Sequence, residues 1–147
     1  MSKKQKNTEL KQAHIVQPST ELGNDDKVRP LFCFNIISSQ YSNDSKLNLV
    51  KNEAIHSKEL LEKINTLSQL TWGAIKNISR KTNGYEMIPI NSLKNSRLKE
   101  ILKSFNQKEI MVFRVKSNNK SRLLGFREGR VFNICCYDHN GVLYEHE

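Results

Sequence analysis

The feature that most restricts the fold is a change of hydrophobic period near residue 110. From there onward apolar residues recur at every second position, in short runs parted by turn residues. IMVFRVK reads as a strand, SNNK as a turn and SRLLGFR as a second strand. Glu128-Gly129 reads as a tight hairpin turn, RVFNICCY as a third strand, DHNG as another turn and VLYEH as a short last strand. Period-two runs joined by turns this short predict an antiparallel meander.

Upstream the pattern is helical apart from one segment. Pro30 opens LFCFNIIS, in which Phe32, Phe34 and Ile36 alternate against Leu31, Cys33 and Ile37. Apolar residues at both parities predict a strand buried on both sides. A polar loop, SSQYSNDSK, follows. Ser57 is placed to cap a helix, Glu59 suits its first turn, and Leu60, Leu61, Ile64 and Leu67 recur at helical spacing. Ser68 or Thr71 can start a second helix through Trp72, Ile75 and Ile78. RKTNGYE reads as a turn in which Gly84 would accept a positive φ, and Pro89 bars a long helix there. A further amphipathic helix is expected over 92–105, with Leu93, Leu98, Ile101, Leu102 and Phe105 as its apolar set. Trp72, Phe32 and Phe34 are expected in the core.

This order predicts an α+β fold: an N-terminal strand, helices, then the antiparallel β-meander, with helices packed on the sheet. Residues 1–29 are polar and without periodicity, so they are read as a disordered, flexible tail preceding a single domain over 30–147.

Charge is distributed unevenly. The chain carries 24 basic and 15 acidic residues, a formal +9. Residues 80–130 alone hold 13 basic and 4 acidic residues, a net of +9. A local surplus of this kind suits a polyanion, because each phosphate contact releases condensed counterions; a solubilising surface is the alternative. The three cysteines, Cys33, Cys135 and Cys136, lack metal-ligand spacing and read as small buried hydrophobes in a reducing compartment. The N-terminus has no apolar stretch of a secretory signal, and no run is long enough for a membrane helix. A soluble, cytoplasmic protein is therefore expected, with neither membrane association nor a cofactor.

The residues able to carry chemistry lie mostly in the second half. Arg114, Arg122, Arg127 and Arg130 sit on or beside neighbouring strands, and a planar guanidinium offers a phosphate two parallel hydrogen bonds. Arg122 and Arg127 are an odd number apart, so an unbroken strand sets them on opposite faces unless a bulge at Gly125 intervenes. Only some of the four arginines can then share one face; the others would line a solvated surface. His139 can move a proton near neutral pH, and Tyr144, five residues on, can donate to a phosphate or stack on a base. Arg80 and Lys81 lie in a basic loop able to touch a backbone phosphate. The chain has no Gly-rich phosphate loop, no carboxylate pair and no nucleophilic triad signature.

The order strand, helices, basic loop, antiparallel strands resembles the RelE/ParE toxin superfamily of bacterial toxin–antitoxin systems. RLLGFREGRVFNICCYDHNGVLY is similar to the arginine-bearing hairpin of that superfamily with its trailing histidine and tyrosine, and TWGAIKN followed by GYEMIP resembles its helix-to-strand entry. Asn140 stands where an arginine is expected after the histidine, and the 92–105 helix and the 1–29 tail are additions to the minimal fold. The resemblance implies an endoribonuclease that cleaves ribosome-bound mRNA without a metal, by attack of the 2′-hydroxyl on the adjacent phosphate. Arg122 and Arg127 would clamp the phosphate with Lys81 assisting, and His139 or Tyr144 would handle a proton. It also implies an antitoxin covering this basic face. A non-catalytic module that binds RNA or a partner through the same face needs only the positive charge.

Overall fold

The computed structural model describes residues 25–36, 54–116 and 120–145. The chain is α+β. Five strands form one mixed sheet: β1 (Leu31–Cys33), β2 (Tyr85–Pro89), β3 (Glu109–Arg114), β4 (Arg122–Glu128) and β5 (Val131–Asp138), in the order β1-β5-β4-β3-β2. β2 to β5 form an antiparallel meander, and β1 runs parallel beside β5. The helices are α1 (Ala54–Ser68), α2 (Trp72–Lys76) and α3 (Ser96–Ser104). None of them is long and apolar enough to cross a membrane.

Alternation along the strands divides the sheet into two faces. Phe113, Leu123 and Tyr137 share one row of the first face, and Arg127 is paired with Phe132 on the same face. Phe132 meets Phe113 with ring centroids 5.3 Å apart and Trp72 of α2 at 6.5 Å. The second face carries Val112, Leu124 and Cys136 in one row, and Arg114, Arg122 and Asp138 in the next. On this face Phe105, which closes α3, packs on Phe126 at 5.4 Å. Helices thus reach both faces. Leu98 and Leu102 of α3 and Leu67 of α1 are fully buried, each contributing roughly 1.5–3 kcal/mol.

Several expectations change in detail. β1 is short and lies at the edge, so Leu31 and Phe34 are exposed; the chain is already helical at Asn35. Ser57 is not a cap but lies inside α1, which begins at Ala54. Thr71 does cap α2, accepting from Ala74 N–H at 3.1 Å, and Asn95 caps α3 through Leu98 N–H at 2.9 Å. The hairpin turn is Gly129-Arg130, one residue later than expected, with Gly129 at φ 58°. VLYEH forms no strand over residues 142–145; residues 146–147 lie outside the described residues. SNNK lies largely outside them too. Residues 1–24 are also outside, but 25–29 are docked: Asp25–Lys27 form a 3-10 turn, and Val28 O accepts Trp72 N–H at 2.9 Å.

The bulge falls beside Gly125, but its additional residue is on the partner strand. Leu124 pairs with Cys136 and Gly125 with Ile134, so Cys135 is the inserted residue. β4 is unbroken, and Arg122 and Arg127 remain on opposite faces.

One buried charge holds the loop after α2. Lys63 of α1 is 7% exposed, and its Nζ donates to Thr82 O and Asn83 Oδ1, both at 2.8 Å. Burial pushes its pKa down from 10.5 to about 8. Between these values the unfolded chain holds more protons than the folded one, so stability rises as pH rises from about 8. Urea denaturation should show the gain, up to about 3 kcal/mol over the full window. The rise should vanish in Lys63→Met, and a wild-type curve flat from about pH 8 to 9.5 refutes the assignment.

Candidate functional site

The second sheet face ends in a pocket of about 480 Å³. Arg80 enters it from the loop after α2, Arg114 from the end of β3, and Arg122 from the start of β4. Glu86 of β2, Ser92, and Tyr144 and Glu145 of the C-terminal segment complete its polar lining. The three arginines are separated in sequence, and the meander brings them together: β3 ends where β4 begins, and β2 lies alongside β3.

Arg114 and Arg122 are directly opposite each other in register. Side chains so placed stand within about 5 Å of each other at Cβ, and like charges there repel. Arg122 is 4% exposed and donates to Ser121 O at 2.9 Å. Arg114 is half-buried, and its Nε is buried with no hydrogen-bond partner among the described residues. Arg80 pairs with Glu86 at 2.5 Å. The other oxygen of Glu86 accepts from the Tyr144 hydroxyl at 3.2 Å, and Arg122 donates to that same hydroxyl. Burial, reinforced by the Glu86 carboxylate and opposed by Arg122, pushes the Tyr144 pKa up to about 12. Tyr144 is therefore a neutral hydroxyl at physiological pH, hydrogen-bonded between a guanidinium and a carboxylate. The residue as a whole is 5% exposed, so its ring is not available to stack on a base.

Of the eight residues singled out in the sequence, Arg80, Arg114, Arg122 and Tyr144 share this pocket. The other four lie elsewhere. Arg127 is on the opposite face, its Nε donating to Gly129 O at 2.6 Å and its guanidinium 4.3 Å from the Trp72 ring centre. Arg130 sits in the hairpin turn, where its carbonyl accepts from Trp72 Nε1 at 2.9 Å and Leu31 N–H at 3.0 Å. Lys81 is exposed in the turn beyond Arg80. His139 lies in the turn after β5, with its ring 6.3 Å from that of Tyr137.

Glu86, Ser92 and Glu145 are polar pocket residues that the sequence does not single out. Glu86 falls at the end of a stretch that reads as a turn, whereas the chain from Tyr85 to Pro89 is β2, an edge strand, where a closing proline is tolerated. Comparison with protein-family models, curated proteins and solved structures finds no match to this chain.

Proposed function

We propose that the chain is a toxin-like endoribonuclease that cleaves mRNA without a metal, seating the scissile phosphate between Arg114 and Arg122. The observation that carries this reading is the in-register pair of arginines beside a neutral tyrosine hydroxyl and a carboxylate. An anion between the two guanidiniums turns their repulsion into charge-assisted hydrogen bonds. In the proposed step, Glu86 takes the proton of the 2′-hydroxyl, whose oxygen attacks the adjacent phosphorus. Arg114 and Arg122 stabilise the negative charge that builds on the phosphoryl oxygens. Tyr144 gives its proton to the departing 5′-oxygen, and the products are a 2′,3′-cyclic phosphate and a 5′-hydroxyl. Arg80 turns from Glu86 to the incoming phosphate, which releases the carboxylate as base. Ribosome-bound mRNA is the proposed substrate, and an antitoxin that covers the basic face is the proposed partner.

The Arg80–Glu86 ion pair favours a second reading, because one carboxylate oxygen is already held by a guanidinium at 2.5 Å and the other by the Tyr144 hydroxyl. The pocket would then be a non-catalytic RNA- or partner-binding module. Inducible expression of the wild type beside Tyr144→Phe and Glu86→Gln separates the two. Growth arrest with mRNA carrying 2′,3′-cyclic ends, in the wild type alone, is the expected result. Normal growth with intact mRNA in all three overturns the ribonuclease reading and leaves the module.

A further inference from the structure

Tyr144 is carried by a segment that no β-ladder holds. β5 ends at Asp138, and the chain then turns back toward the pocket, with Gly141 in a left-handed conformation at φ 64°. Two attachments fix this segment in the interior. The Asp138 carboxylate accepts Val142 N–H through Oδ1 at 3.2 Å and Leu143 N–H through Oδ2 at 3.0 Å. Leu143 O accepts Lys94 N–H at 2.8 Å. A third, the 2.6 Å ion pair of Lys94 with Glu145, is at the surface, where such pairs are weak.

Asp138 is 3% exposed, and both its oxygens are spent on the backbone of the two residues just before Tyr144. Such charge-assisted bonds are stronger than neutral ones, and each meets an N–H that no strand partner satisfies. The bulge explains how Asp138 comes to this face. Phe132 and Ile134 point to the first face, and strict alternation would send Asp138 there with them. The inserted Cys135 reverses the phase, so Cys136 and Asp138 point to the second face and Asp138 pairs with Arg122.

We infer that Asp138 is the positioning residue of the pocket: its carboxylate clamps the turn over 139–145 so that the Tyr144 hydroxyl meets Glu86 and Arg122. The consequence for RNA rests on the proposed function, but the clamp can be tested without RNA. Asp138→Asn keeps one acceptor and sets an NH2 group against a backbone N–H, so one of the two bonds is lost. Spectrophotometric titration of the wild type should show no ionisation of Tyr144 up to about pH 11. In Asp138→Asn one more tyrosine should ionise near its ordinary value of about 10, and adding Tyr144→Phe should abolish that extra ionisation. Binding of a single-stranded RNA oligonucleotide should weaken about tenfold, as expected for the loss of one charge-assisted hydrogen bond at the site.

A folded Asp138→Asn with wild-type tyrosine titration overturns the inference. If the variant does not fold, Val142→Pro removes one donor while retaining Asp138 and its bond to Leu143. The same extra ionisation there supports the clamp, and its absence overturns it. Extra ionisation with undiminished RNA binding supports the clamp and overturns the reading of the pocket as an RNA site.

Discussion

Arg114→Ala is expected to weaken RNA binding by about 10- to 150-fold while leaving the folded chain as stable as the wild type, or more stable by up to about 1 kcal/mol. The two halves of this result have one cause. Arg114 faces Arg122 directly across β3 and β4, and its Nε is buried without a partner among the described residues. In the protein alone it therefore contributes repulsion and an unmet donor; with a phosphate bound it contributes a charged hydrogen bond. Most surface arginines give no such separation, because truncation costs either nothing or stability. Fluorescence anisotropy against salt, beside thermal denaturation, measures both halves. The slope of log affinity on log salt should fall by about 0.7 for a single-stranded ligand, as for the loss of one phosphate contact. Arg114→Lys should recover the slope but only part of the affinity, because an ammonium keeps the charge without the fork. A destabilised Arg114→Ala with unchanged RNA affinity would make Arg114 a structural residue and remove the main support for the site.

How much of this was legible in the sequence depends on the range of the interaction involved. β3, β4 and β5 were legible because alternation and short turns are local, and the error at their hairpin is a single residue at Gly129. Parity also placed Arg122 and Arg127 on opposite faces. Parity cannot tell which face bears a pocket, because that depends on Trp72 filling the space beneath Arg127 and on Tyr144 closing over Arg122. The VLYEH segment departs from its expected strand for a related reason. Leu143 and Tyr144 are both buried although they are consecutive, since Asp138, not a ladder, holds the backbone. The composition of LFCFNIIS predicts burial of both faces, yet β1 is only Leu31–Cys33 at the sheet edge, with Leu31 exposed on it and Phe34 exposed just beyond it. Cys135 as an inserted residue has no sequence signal at all. A bulge is a mismatch between two strands, and one strand alone does not display it.

Gly84→Ala is expected to cost about 3 kcal/mol or more, which is a large share of the stability of a domain this size. The sequence suggested that glycine is needed here for a positive φ, but the left-handed glycines among the described residues are Gly129 and Gly141. Space is the actual constraint. A Cβ on Gly84 would lie 2.1 Å from Ile78 O and 2.8 Å from the carbonyl of Ser79. Both neighbours are backbone, so no rotamer change relieves the overlap, and the 78–84 loop must open. That loop carries Arg80 into the pocket, presents Thr82 O and Asn83 to the buried Lys63, and leads directly into β2 with Glu86. The two explanations part at Gly84→Asn. Asparagine tolerates left-handed backbone better than alanine does, so a positive-φ requirement makes Asn the milder change. Close approach makes Asn at least as harmful as Ala, since its Cβ sits in the same place and more atoms follow. Urea midpoints of the two variants decide the matter, and an Asn variant clearly more stable than the Ala variant would restore the backbone explanation. Under close approach, any fraction of either variant that remains folded should also bind RNA less tightly, because the displaced loop takes Arg80 with it.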